Sequence, residues 1–384
     1  MSEFTFETSP KIICQQGGAH HLGSIAKGLG IRRVLLVTDA GLLKARLIDG
    51  ALMSLAAAGI HTAVFSEVLA DPPESGVQAA VEAALAAGIN GVIGFGGGSS
   101  LDTAKLVALL ACTPQTLPDI YGVGLARGPR LPLIQVPTTA GTGSEVTPIS
   151  ILTTPGHEKK GVVSPLLYPD VALLDSLLTL GLPPAVTAMT GVDAMVHAIE
   201  AFTTRLKKNP LSDALALKAL QLLFPNLLAA VNDGQDANVR EAMLLGSLFA
   251  GMAFANAPVG AVHALAYPLG GHYQLPHGLS NSLVLLPVLQ FNLPVAEHLY
   301  AQLGRAILPE LASANDDAAA IAFIAAIRQR VAAMPFAQNL RQANVPEAAL
   351  PLLAEDAMKV QRLLVNNPRD VTLDDALALY RAAY

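Results

Sequence analysis

Up to about residue 180 the chain alternates short runs rich in β-branched residues with alanine-rich helical ones, and after Gly181 it does not. That switch constrains the fold more than any other feature. Strand and helix in regular succession call for a parallel sheet covered by helices, because parallel neighbours need a crossover to join them. Arg33 to Thr38, Thr62 to Phe65 and Gly91 to Phe95 read as the first three strands, with helices from about Leu42 and Gly76 between them. Leu133 to Val136 and Val171 to Leu174 read as further strands, and Val146 to Leu152 with Gly161 to Ser164 flank Thr154-Pro155-Gly156 like a hairpin. Gly181-Leu182-Pro183-Pro184 breaks the pattern, its proline suiting a first helical turn. Beyond it, periodic Ala and Leu segments predict helices only. The expected fold is an α/β dinucleotide-binding domain over 1–180 followed by an all-helical domain over 181–384.

Size agrees with two domains, since 384 residues exceed the roughly 250–300 at which single cores stop growing. With 52% hydrophobic and 14% charged residues, much apolar surface must be buried inside the chain or between subunits, so a homodimer or larger assembly is expected. A formal charge of -6, with no run of Lys or Arg longer than two, leaves no footprint for nucleic acid or anionic lipid. Cys14 and Cys112 stand far apart and suggest neither a disulfide framework nor a thiolate metal site, which fits a reducing cytosol. The start, Met1 to Phe6, has no basic and no apolar leader segment. Apolar stretches such as Ala318 to Ile327 and Ser282 to Leu289 are expected to be cut short by charge or proline before the roughly 20 residues a bilayer needs. A cytoplasmic protein without a membrane partner is the expectation.

Directly after the third strand, Gly96-Gly97-Gly98-Ser99-Ser100-Leu101-Asp102 opens a helix expected over Asp102 to Leu110. Glycines let a phosphate approach the backbone, and the amides and dipole of a helix start attract it. A lone glycine cluster is more often a tight turn. The usual dinucleotide fingerprint sits on the first strand with its acid downstream, whereas here the acid, Asp39, lies upstream at the end of the first strand. Asp39 suits the ribose hydroxyls of an adenosine, and equally the N-cap of the next helix. A third loop, Pro137 to Glu145, brings hydroxyls to the same sheet edge. Three such loops favour a nucleotide site.

Asp193 and His197 are spaced i,i+4 on a predicted helix, so both leave one face. Such a pair alone is more often a surface hydrogen bond. Its neighbours Ala194, Met195, Val196, Ala198 and Ile199 bury the helix, however, and a buried carboxylate needs a cation or strong donors. Of nine histidines, those at 197, 263, 272 and 277 crowd a domain otherwise dominated by Ala and Leu. Asp193, His197, His263 and His277 would supply one oxygen and three imidazole nitrogens, a set for Fe²⁺ or Zn²⁺. His272 is the alternative to His277, and Glu200 a supporting partner behind the ligands.

The segments GGGSSLDTAK, PTTAGTGSEVT, GVDAMVHAIEA and VHALAYPLGGHYQLPHGLSN, in this order and spacing, resemble the iron-containing (group III) alcohol dehydrogenase family across essentially the whole chain. The resemblance implies a metal in the cleft between an N-terminal dinucleotide-binding domain and a helical domain, usually in a dimer or larger assembly. It assigns the metal to the same four residues. It gives the pyrophosphate to Gly97, Gly98 and Ser99 with Asp102 nearby, and the nicotinamide side to Thr138, Thr139, Thr142 and Ser144. Asp39 looks like the adenosine-ribose acceptor, and Lys159 and Leu180 match cofactor-contact positions on looser motifs. Many family members carry a histidine four residues after the third ligand, where this chain has Tyr267. A proton-relay role for that position does not transfer, so Tyr267 is a pocket candidate, with His272 or Tyr267 as possible relays.

The expected activity is hydride transfer between a small alcohol or diol, or the matching aldehyde, and NAD rather than NADP. One rival is a sugar-phosphate cyclase of the dehydroquinate-synthase kind, which would want Lys and Arg in the cleft, whereas residues 240 to 304 hold no lysine and a single arginine, Arg240. A second is a metal- and nucleotide-binding protein without turnover.

Overall fold

Six strands form one parallel sheet in the computed structural model, which describes residues 3–156 and 158–384. Met1 and Ser2, part of the start read for a leader, lie outside the described residues. The strands in chain order are β1 Ile12–Cys14, β2 Arg33–Val37, β3 His61–Phe65, β4 Gly91–Gly96, β5 Gly122–Val123, β6 Leu133–Pro137, β7 Ile149–Thr153, β8 Lys159–Val163 and β9 Val171–Leu174. The large sheet runs β1-β9-β6-β4-β2-β3, and β5-β8-β7 make a small one in which β7 and β8 are the antiparallel hairpin. The helices are α1 Leu22–Gly28, α2 Ala40–Lys44, α3 Asp49–Ala57, α4 Glu74–Ala87, α5 Gly98–Leu110 and α6 Leu117–Ile120.

Along β2, Val34 and Leu36 enter one core with Ile93, Phe95, Ile134 and Val136, while Leu35 and Val37 enter another with Val92, Ala104 and Leu133. Burial on both faces is why these strands read as continuous apolar runs rather than alternating ones. The edge strand β1, paired with β9 through Ile12↔Ala172 to Cys14↔Leu174, went unread because three residues carry no periodicity. The helix expected from Leu42 is two pieces, α2 and α3, with Arg46 between them at φ 60°. The helix expected from Asp102 begins a turn earlier, at Gly98.

Two compact units divide the chain. One is Glu7–Gly181; the other is Leu182–Tyr384 together with residues 3–6. The second unit is helical: α7 Pro184–Thr203, α8 Pro210–Asn232, α9 Ala237–Asn256, α10 Ala261–Tyr273, α11 His277–Ile307, α12 Asp316–Ala332, α13 Leu350–Lys359, α14 Gln361–Leu364 and α15 Leu373–Ala382. Contrary to expectation, proline does not cut its apolar runs. Helix α8 continues through Pro225, and α11 runs 31 residues through Pro287 and Pro294. By length and composition alone both helices could cross a membrane, as could the bent pair α9 and α10 taken together. In the fold they pack on other helices of the unit: α8 on α7 and α9, α11 on α7, α10 and α12. These contacts bury part of each helix, 44% of the apolar stretch in α8 and 61% of that in α11.

Candidate cofactor turn and metal centre

Asp39, the glycine turn and the hydroxyl loop follow β2, β4 and β6, adjacent parallel strands, at their carboxyl ends. Ligands of open α/β sheets bind at that edge. Gly97 caps α5 in extended conformation, so the amides of Gly98, Ser99 and Ser100 stand in its open first turn. A Cβ at Gly98 would sit 2.7 Å from Thr142 Cγ2, and one at Gly97 3.6 Å from Thr139 Cγ2. Gly98 therefore lets the hydroxyl loop lie against the turn, whereas the spacing at Gly97 is ordinary van der Waals contact. Thr138 is buried, its amide donating to Gly96 O at 2.9 Å.

Asp102 sits one turn into the helix and faces the hydroxyl loop. Its carboxylate accepts from Ser144 Oγ at 2.6 Å and from the Ile151 amide at 2.9 Å, while its carbonyl accepts from Ser150 Oγ at 3.1 Å. Lys159 donates to Thr153 Oγ1 at 3.0 Å and pairs with Asp71 at 2.7 Å, and the Asp71 amide donates to Ser99 Oγ at 3.2 Å. Lys159 is thus joined to the glycine turn through Asp71. Leu180 ends a short turn, Ser176–Thr179, after β9. Asp39 does cap α2: its Oδ1 accepts from the amides of Gly41 at 2.8 Å and Leu42 at 3.1 Å. Among the described residues no partner engages Oδ2, which keeps the ribose reading open. Beneath the loop, burial pushes Glu145 up to about 7 against the opposing charge of Lys105.

In the helical unit the four candidate ligands converge: one ligand atom from each of Asp193, His197, His263 and His277 lies within 4.8 Å of every other. That is the scale of a cage around bonds of about 2.1 Å. Helix α7 presents Asp193 and His197, α10 presents His263, and His277 opens α11. Gly278 makes the approach possible, since a Cβ there would sit 2.3 Å from Met189 O on α7. His197 stacks between Phe254 at 4.3 Å and His263 at 4.8 Å. Burial alone would raise the Asp193 carboxyl, but the three imidazoles and the Asn281 amide outweigh it and hold the group below the usual carboxylate range. A buried, ionised carboxylate facing three imidazole nitrogens is the donor set of a divalent Fe or Zn site.

Glu200 supports this set from behind. Its Oε2 lies 2.6 Å from His263 Nδ1 and its Oε1 accepts from the Val262 amide at 2.7 Å, so the Nδ1 proton is held there and Nε2 faces the cage. Glu200→Gln should keep the amide contact but weaken metal binding by about 10- to 100-fold. Competition with a chromogenic chelator measures this, and an unchanged affinity would reduce Glu200 to a packing role. The sequence did not point to Asn281, whose Nδ2 donates to Asp193 Oδ1 at 2.6 Å and lies 3.2 Å from Nε2 of both His263 and His277. The cage is closed on the Asp193 and His263 sides, 3% and 4% exposed, and open at His277, 38% exposed. Tyr267 stands at that opening, its ring 6.2 Å from His277. His272 is turned to Asp356 at 2.6 Å and does not join the cage.

Family models match both halves of the chain: iron-containing alcohol dehydrogenase over residues 9–176, and the C-terminal part of the Fe-containing alcohol dehydrogenase family over 187–384. The chain belongs to the iron-containing alcohol dehydrogenase family. Within it, the chain is 38% identical over 381 residues to the probable alcohol dehydrogenase EutG of Escherichia coli strain K12, covering 99% of this chain and 94% of that protein. The crystal structure of a 1,3-propanediol oxidoreductase superposes with a TM-score of 0.96 at 34% identity, over 100% of both chains. Sulfoacetaldehyde reductase from Bifidobacterium kashiwanohense, solved in complex with NAD+, gives 0.88 at 29%, over 100% of this chain and 99% of that one. In this family setting the cage and the glycine turn are read as the metal and dinucleotide parts of one enzyme.

Proposed function

We propose that this protein is an alcohol dehydrogenase and aldehyde reductase that moves hydride between a small alcohol or diol and NAD, using one Fe²⁺ or Zn²⁺ per chain. The carrying observation is the buried cage of one carboxylate and three imidazoles in a member of this family. Relatives named as alcohol dehydrogenase, 1,3-propanediol oxidoreductase and sulfoacetaldehyde reductase support the reaction class, and the NAD+ complex supports the cofactor.

When bound, a divalent ion supplies Lewis acidity to the reacting oxygen, and the nicotinamide supplies or accepts the hydride. The chain does the rest. Asp193, His197, His263 and His277 hold the ion, and Glu200 fixes the His263 ring. The opening beside His277 and Tyr267 admits the substrate. The amides of Gly98 and Ser99 take the pyrophosphate, Thr138, Thr139 and Thr142 offer hydroxyls to the nicotinamide carboxamide, and Asp39 Oδ2 accepts from the adenosine ribose. The cyclase reading has no support: Arg240 is spent on Thr187 Oγ1 at 2.8 Å and on the carbonyl of Gly234 at 2.9 Å, leaving no phosphate cradle there. NAD reduction assayed across short alcohols and diols, with and without added Fe²⁺ or Zn²⁺, tests the proposal. No turnover with any of them would overturn it.

We also place the protein in the cytoplasm as a dimer or larger assembly. Cys14 and Cys112 stay as thiols, and Phe4, Leu211, Val295 and Ile321 expose apolar side chains on the helical unit and its N-terminal segment. Light scattering at micromolar concentration should return at least twice the chain mass. A monomer would contradict the assembly.

A further inference from the structure

We propose that Arg362 is a specificity-determining residue that selects small aldehydes and alcohols bearing a carboxylate or sulfonate at the end remote from the reacting carbon. The inference rests on the dehydrogenase reading above.

His263 and Tyr267 are four residues apart on α10, so the phenol leaves the same helix face as the ligand. Its ring lies 6.2 Å from His277 at the open side of the cage. Against that same ring stands a cation. Arg362 Nη2 donates to Tyr267 Oη at 3.2 Å, and its guanidinium carbon is 5.8 Å from the ring centroid. Its backbone is fixed, because Asn366 Nδ2 donates both to Arg362 O at 3.0 Å and to Val259 O at 2.9 Å, just before α10. The guanidinium is therefore one side chain removed from a metal ligand, on a base tied to the ligand-bearing helix.

No carboxylate lies within ion-pair distance of Arg362 among the described residues. The neighbouring Asp356 is committed to His272 at 2.6 Å and Lys359 at 2.6 Å. A guanidinium carries five donors in a planar fork, and the phenol takes one. The remainder match the oxygens of a carboxylate or sulfonate, and such charge-assisted pairs are about twice as strong as neutral ones. In a chain of formal charge -6, an unpaired cation beside the open side of the cage draws anions where the protein as a whole repels them. The ordinary alternative is a surface arginine resting on a tyrosine, which would leave substrate choice untouched.

The test uses the full-length holoenzyme loaded with Zn²⁺ and NADH. Succinic semialdehyde and butyraldehyde share a four-carbon aldehyde and differ at the far end, so the ratio of their kcat/KM values isolates the charge. The wild type should favour the anionic aldehyde, and Arg362→Gln should lower that ratio by about tenfold or more. Arg362→Glu should lower it further. Calorimetric titration of the holoenzyme with butyrate should show binding that Arg362→Gln abolishes, a readout independent of turnover. A ratio and a butyrate affinity unchanged in Arg362→Gln, with both aldehydes still reduced, would overturn this inference alone. Absence of reduction with either aldehyde would overturn the dehydrogenase reading and this inference with it.

Discussion

The His263→Ala protein is expected to come out of purification with little metal and almost no activity. His263 contributes an imidazole to a four-donor cage and is the ligand oriented by Glu200 at 2.6 Å. Alanine removes a donor from the closed side of the site, where no exposed group can substitute. The Asp193 carboxylate then keeps a weaker positive surround in a buried position. Lewis-acid stabilisation is worth several kcal/mol, so a fall in kcat of about 10³-fold or more is expected. Elemental analysis and steady-state kinetics on the same preparation check both halves, with about one ion per wild-type chain. A metal-free variant that remained fully active would remove the cage from the mechanism.

Asp39→Gly should shift cofactor choice from NAD toward NADP. A carboxylate that accepts from the ribose hydroxyls meets the 2′-phosphate of NADP as a like charge. At about 4 Å the repulsion is roughly 1 to 4 kcal/mol between water-like and surface-like dielectric, or about tenfold to several-hundredfold. Glycine removes that repulsion while capping α2 nearly as well, at a cost of a few tenths of a kcal/mol. The ratio of kcat/KM for NADP over NAD should therefore rise while thermal stability changes little. Because Oδ1 of Asp39 already caps α2, an unchanged ratio would leave it a cap and nothing more.

The sequence was most informative where periodicity ran long or chemistry was unusual. Strands β2, β4, β6 and β9 are legible because buried parallel strands concentrate Val, Ile and Leu between glycine-rich turns, and the exposed edge strand β3 because its short β-branched run falls between two helical ones. The metal cage is legible because histidines are rare among Ala and Leu. What the sequence hid depends on contacts between distant residues. Strand β1 exists only through its pairing with β9. The long helices α8 and α11 tolerate their prolines because tertiary packing overrides local propensity. Asn281 carried a signal that could have been used, since it lies four residues after His277 and so shares its helix face. Arg362 carried none, because 95 residues separate it from Tyr267.

The placement of Asp102 makes the enzyme modular. With its side chain gripping Ser144 and Ile151 and its carbonyl holding Ser150, it welds the glycine turn and the hydroxyl loop into one body before any cofactor arrives. A seat already assembled loses little freedom when it is filled, so most of the contact energy is available as affinity. Asp39 stands outside that weld, its side chain anchored at the start of α2. On the proposed reading, in which Asp39 meets the adenosine ribose, the residues that preassemble the seat and the residue that chooses the cofactor are distinct, so mutation of one set need not disturb the other.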